Sequence, residues 1–261
     1  MGIVVGEAEL LVMLSSFLWP LVRIGAFLMA MPIIGTRLVS ARIRMGLAAT
    51  MAVAVAATLP PAPVVDLLSV QAWVMIADQI LIGASMAFVI QLLFQVFIMA
   101  GQMIAMQMGL GFASMMDPAN GINVAIISQF YLMMTTLVFL SLNGHLVAIE
   151  IMVESFRVLP VSVTWQFDGL GQIATLGSWV FSSALFVALP AVTAVLIINF
   201  AFGIMTRAAP QLNIFSLGFP FTMLMGLLIM WIGLSGFLPQ YKLLVAESLQ
   251  MIRIMYAVPG A

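Results

Sequence analysis

The chain has 261 residues, of which 64% are hydrophobic and only 7% charged, with a formal net charge of −1. A soluble domain carries about 25% charged residues, so little room is left for a soluble globular enzyme. Disorder is excluded as well, because it needs low hydrophobicity and high net charge. The chain has no cysteine and one histidine, His145. Disulfides, thiolate metal sites, a cysteine nucleophile and a multi-histidine metal site within one chain are therefore ruled out. The charge balance offers no basic field for nucleic acid. What remains is an all-α, hydrophobic, membrane-associated helical protein.

Uncharged stretches long enough to span a membrane, about 20 apolar residues, divide the chain into six expected hydrophobic segments. In order they lie near 10–34, 45–59, 72–106, 122–143, 174–205 and 214–238. Residues 1–9 carry Glu7 and Glu9 and no cation, unlike the basic start of a signal peptide. Arg37, Arg42 and Arg44 cluster after the first segment, and Arg207 lies between the last two. The positive-inside rule puts both connections in the cytoplasm and, with six crossings, both termini outside.

Segment 72–106 is too long for an ordinary span. As a helix it runs roughly 50 Å, against a hydrocarbon core of about 30 Å. Its Gln91, Gln95 and Gln102 fall within about 40° on a helical wheel, a polar stripe that wants protein or water beside it. A tilted helix with a packing face fits the same pattern. Segment 174–205 holds Pro190 near its middle, where a kink is expected.

Between the third and fourth segments lies MAGQMIAMQMGLGFASMMDPANG, Met99 to Gly121. It contains Met103, Met106, Met108, Met115 and Met116. Gly109, Gly111 and Gly121 interrupt it, and Asp117-Pro118 and Asn120-Gly121 are turn signals. Irregular backbone at membrane depth must be surrounded by protein or by a water-filled cavity. Methionine fills irregular gaps and repacks. The stretch therefore reads as a deformable seal or as a buried re-entrant loop. GLGFAS lacks the third glycine, preceding strand and acidic residue of a dinucleotide loop.

The remaining polar residues stand alone. His145, in NGH, is a turn residue or a proton relay. Arg23 lies inside the first segment and needs a partner; Asp78 is chemically suited to pair it or to act as a proton site. Asp117 precedes Pro118 as a turn or cap residue. No constellation for intramembrane catalysis appears, so no catalytic, cofactor or metal residue is assigned.

Four stretches resemble one family. RAAPQLNIFSLGFP (207–220) and GLGFASMMDPANG (109–121) are similar to signatures of the FliR family of flagellar type III export-gate proteins. FLSLNGHL (139–146) and RIGAFLMAMPIIGTRLVSARIRMGLA (23–48) also match its pattern, in the family order and over nearly the whole chain. The resemblance implies a FliP-like helical part over 1–170 and a FliQ-like helical hairpin over 171–261. It implies assembly with FliP-like and FliQ-like subunits in the inner membrane at the flagellar basal body, largely raised out of the bilayer, with FlhB and FlhA nearby. Unfolded flagellar proteins are the implied cargo, and membrane lipid a neighbour.

By the same resemblance, the loop at about 106–122 plugs the pore through Met106, Met108, Gly109, Gly111, Phe112, Met115, Met116, Asp117 and Pro118. Arg207, Pro210, Gln211 and Asn213 form the cytoplasmic hairpin tip. Pro210 should end the fifth segment and Asn213 should cap the sixth. Valine at Gly109 and Gly111 is expected to hold the plug closed, because φ > 0 is costly for a β-branched residue. Two alternatives stand beside this reading: the injectisome counterpart SctT, and a proton-coupled small-molecule transporter, for which an inverted repeat and mid-membrane acids are expected.

Overall fold

A computed structural model describes residues 7–60, 63, 65, 66, 69–111, 114–117, 121, 123–161, 169–208 and 214–256. The fold is all-α, with one small hairpin. Its helices are α1 (Glu7–Ala30), α2 (Ala41–Ala56), α3 (Val70–Gln107), α4 (Ile126–Ser141), α5 (Gly144–Val158), α6 (Gly169–Ala208), α7 (Ile214–Gly233) and α8 (Phe237–Tyr256). Strands β1 (Ser114–Met116) and β2 (Asn123–Ala125) pair antiparallel, Met115 opposite Val124.

Among the described residues, fewer than the expected six crossings are found. Four stretches are long and apolar enough to span, 12–30, 70–107, 174–207 and 218–256, and a bent α4–α5 pair makes up to five. Helix α2 covers the second expected segment, but its 16 residues rise about 24 Å, short of the hydrocarbon core. The last segment does not stop at 238. A single 3-10 turn, Leu234–Gly236, leads into α8, which carries Lys242, Glu247 and Arg253. Helix α6 runs through Pro190 as one 40-residue element.

The chain forms two compact units that interleave along the sequence. One comprises residues 1–91, 143–169 and 249–261. Its core is Trp19, Ile24, Phe27 and Leu28 of α1, Ala48 and Ala52 of α2, Ile82 and Met86 of α3, and Met152 and Phe156 of α5. Gly83 brings α3 onto α1: a Cβ there would overlap the Arg23 carbonyl and lie 3.1 Å from Phe27 N. The other unit comprises residues 92–142 and 170–248. An aromatic cluster fills it, Phe97 against Phe237 at 5.1 Å and Phe94 edge-on to Phe139 at 5.4 Å.

Candidate functional site

Helix α3 ends where its sequence turns to glycine. Gly109 has φ +78°, the left-handed conformation that glycine adopts without steric cost. Leu110 N donates to Ala105 O at 2.8 Å and Gly109 N to Met106 O at 3.1 Å. Together these bonds make a Schellman cap, which satisfies carbonyls that the helix end would leave unpaired. The chain then leaves the helix axis and enters the Met-rich loop.

Some of the loop's described residues are regular. Strand β1 (114–116) pairs with β2 (123–125), and Gly121, at φ +73°, donates to Asp117 O at 2.8 Å. Asp117 lies in this turn, as expected, and is also buried. The returning strand is tied to α3. A Cβ on Gly101 would lie 2.7 Å from Ser128 Cα and 2.9 Å from Ser128 N, so the backbones of α3 and α4 touch there. Beside that crossing, Gln102 Oε1 accepts from Ala125 N at 3.4 Å and Ser128 Oγ at 3.3 Å. Both ends of the loop are thus anchored on the last two turns of α3. Gln102, read in the sequence as part of a polar stripe, has its partners here.

The residues expected to form the plug are only partly visible. Met108 is buried and Met106 is 63% exposed, its sulfur against Gly111. The backbones of Met115 and Met116 lie in β1. Phe112 and Pro118 fall outside the described residues, as do Pro210, Gln211 and Asn213 of the hairpin tip. Arg207 is exposed in the last turn of α6, which ends at Ala208, and α7 resumes at Ile214. Met108 and Gly109 meet α7: Phe219 lies over Gly109, and the Met108 side chain lies over Gly226. A cavity of about 280 Å³ opens beside them, lined also by Asn199, Phe202 and Thr222.

One expectation reverses in direction. Gly109 holds its positive φ in this structure, and an added Cβ would sit 2.9 Å from the Phe219 ring. Valine at 109 therefore strains the arrangement seen here and cannot lock it.

Arg23 is fully buried, and its partner is not Asp78. Its Nε donates to Gln79 Oε1 at 2.8 Å. Its Nη atoms donate to Ser155 O, Ser155 Oγ and Leu159 O at 3.0–3.2 Å. The guanidinium also stacks on Phe156 at 4.2 Å. Ser155 and Leu159 close the C-terminal end of α5, so this cation is met by carbonyls at the negative end of a helix dipole. Asp78, one residue before Gln79, is half-buried on another face of α3. His145 occupies the second position of α5, just past the α4–α5 turn, where Asn143 has φ +58°. Among the described residues no three His, Asp or Glu side chains converge as a metal site would require.

Gly101, Ser128, Asn199, Phe219 and Gly226 were not singled out in the sequence. The glycines carried the available signal, because a lone glycine inside an apolar helix often marks a close approach.

Residues 14–248 match the family described as "Bacterial export proteins, family 1". The chain is 37% identical over 218 residues to the flagellar biosynthetic protein FliR of Escherichia coli (strain K12), covering 83% of each chain. It is 27% identical over 254 residues to FliR of Bacillus subtilis (strain 168), covering 94% of this chain and 96% of that one. Over 154 residues it is 28% identical to the surface presentation of antigens protein SpaR of Shigella flexneri, covering 59% of this chain and 60% of that one. A match across most of the chain, together with the motifs at 109–121 and 207–220, shows that this protein belongs to the FliR/SctT family of bacterial export proteins.

Proposed function

We propose that this chain is a core, non-enzymatic subunit of the flagellar type III export gate, in the inner membrane at the basal body, and that its 106–122 loop seals the export pore. FliP-like and FliQ-like subunits complete the pore, FlhB meets the hairpin tip, FlhA lies nearby, and unfolded flagellar proteins are the cargo. By likeness to those subunits, residues 1–170 form the FliP-like part and 171–261 the FliQ-like hairpin. The observation that carries the reading is the anchored loop. Its root is capped at Gly109 and its return is pinned at Gly101 and Gln102, while the span between is apolar, methionine-rich and glycine-broken. Such a span fills a pore closely at rest and yields to varied side chains, and an apolar constriction blocks ions by dewetting.

The flagellar assignment is favoured over the injectisome one by the relatives. The E. coli flagellar protein is more similar over more of the chain than SpaR.

Deleting 110–116 from the assembled complex tests the seal. The expected result is an intact complex with raised ion leak and slowed growth. A deletion complex that conducts no more than wild type would falsify the sealing role. Gly109→Val is expected to raise leak as well, because it strains the resting cap.

A further inference from the structure

We infer that one face of α7, formed by Phe219, Thr222 and Gly226, is a latch that holds the root of the sealing loop in its resting position. The inference rests on the proposed sealing role of that loop. The three residues are spaced i, i+3 and i+7, which places them on one side of a helix. Each has a specific relation to the end of α3. Met108, 1% exposed, lies over Gly226: a Cβ at that glycine would be 2.7 Å from Met108 Cγ and Cε and 2.8 Å from its sulfur. Phe219 covers Gly109, the residue whose left-handed backbone turns the chain into the loop. Thr222 is buried between them in sequence and turns its hydroxyl onto its own helix, accepted by Gly218 O at 2.8 Å, so the face it presents is apolar. Helix α6 adds one polar contact, Asn199 Nδ2 donating to Gln107 O at 3.5 Å.

The contact is a fitted one at a single point and loose around it. Gly226 leaves room for Met108 and for nothing larger, whereas the adjoining cavity of about 280 Å³ leaves the neighbouring Met106 and Phe202 space to move. A well-packed boundary would have no such void. The arrangement therefore holds the loop root by Met108 and Gly109 while permitting its release without unpacking the rest of the unit. It also lies close to the hairpin tip. Phe219 is five residues beyond the start of α7, and Asn199 is nine before the end of α6. At about 1.5 Å per residue, both are within roughly 15 Å of the tip connection along their helices. A partner that shifts α6 and α7 at the tip acts directly on Met108 and Gly109.

The test uses the complete complex with its partner subunits, reconstituted in a planar bilayer in potassium chloride. Gly226→Ala is the informative substitution, because alanine is the better helix former and the helix itself gains. Any loss of sealing then comes from the added methyl at Met108. The expected result is a several-fold rise in resting conductance for Gly226→Ala with complex yield unchanged. In a Met108→Ala background, where the methyl meets nothing, Gly226→Ala should add no further conductance. Gly226→Ala without effect on conductance, or with the same increment in both backgrounds, overturns the latch; loss of the complex on Gly226→Ala assigns the contact to assembly and overturns it too. The 110–116 deletion separates the two ideas: if that deletion leaks and Gly226→Ala does not, the loop seals and the latch is wrong. If neither leaks, the sealing role itself falls.

Discussion

Arg23 shows how a cation is kept inside an apolar unit without an acid. Four acceptors meet the guanidinium, and three of them lie at the C-terminal end of α5. A planar fork on an aromatic face suits arginine and does not suit lysine, whose ammonium is a compact point charge. Removing the side chain strands Gln79 Oε1 and Leu159 O in the core, whereas Ser155 O keeps its bond from Leu159 N. Each unsatisfied group costs about 1–3 kcal/mol, so Arg23→Ala is expected to destabilise the protein by roughly 3–5 kcal/mol. Arg23→Lys should recover only part of that loss. Thermal unfolding of the purified complex measures both; Arg23→Lys as stable as wild type would show that charge alone matters, not the fork. Sequence reading found the cation inside an apolar segment and offered Asp78 as a chemically suited partner, which the fold does not bring to it. Neighbouring positions on a helix are about 100° apart, so Asp78 and Gln79 face different surroundings. Nothing in the local sequence announces that the end of α5, more than 130 residues from Arg23, supplies the counter-charge.

At the level of elements, what could be read depended on length and periodicity. The end of α3 was legible, because glycine terminates a helix through backbone sterics that need no tertiary context. The shortness of α2 and the further helix α5 beyond the NGH turn were not, since a hydrophobic run says how apolar a segment is and not how its helices divide. Asn143 turns the chain with φ +58°, a conformation that Asn tolerates but that its presence does not demand. Helix α8 was missed because its charges marked a boundary. Glu247 is in fact used within its unit, accepting from Trp179 Nε1 at 2.8 Å. The β1–β2 pairing was hidden inside a stretch too short and too glycine-rich to show alternation. Of the α6–α7 region, α6 is described to Ala208 and α7 from Ile214, and 209–213 lie outside the described residues. A photo-crosslinker at Gln211 is expected to capture a cytoplasmic-side subunit, FlhB on the present reading. Crosslinks confined to lipid or to periplasmic proteins would reject both the orientation and that role.

For the whole molecule, the decisive quantity is apolar surface that nothing in the chain covers. In an 18-residue apolar window of α3 56% of the residues are buried, whereas in those of α6 and of α7–α8 only 22% are. Along α6, Phe181, Phe186, Leu189, Ile197, Phe200 and Ile204 are all exposed. Forty helical residues extend about 60 Å, twice the hydrocarbon core of about 30 Å. The exposed row from Phe181 to Ile204 itself rises about 35 Å, so with the helix upright a bilayer covers most of that row but not the rest of the helix. The remainder needs protein. Exposed contiguous apolar surface of this kind marks an interface or drives aggregation, and the long, weakly covered α6 belongs to the part of the chain likened to FliQ. The chain produced without its partners is therefore expected to be degraded or to aggregate, and co-production with FliP-like and FliQ-like subunits should restore it. Pulse-chase lifetimes in membranes, followed by size-exclusion chromatography in mild detergent, measure this. A long-lived, monodisperse monomer from cells lacking those subunits would mean that lipid alone satisfies α6, and the case for burial of its exposed face inside a hetero-oligomeric gate would be lost.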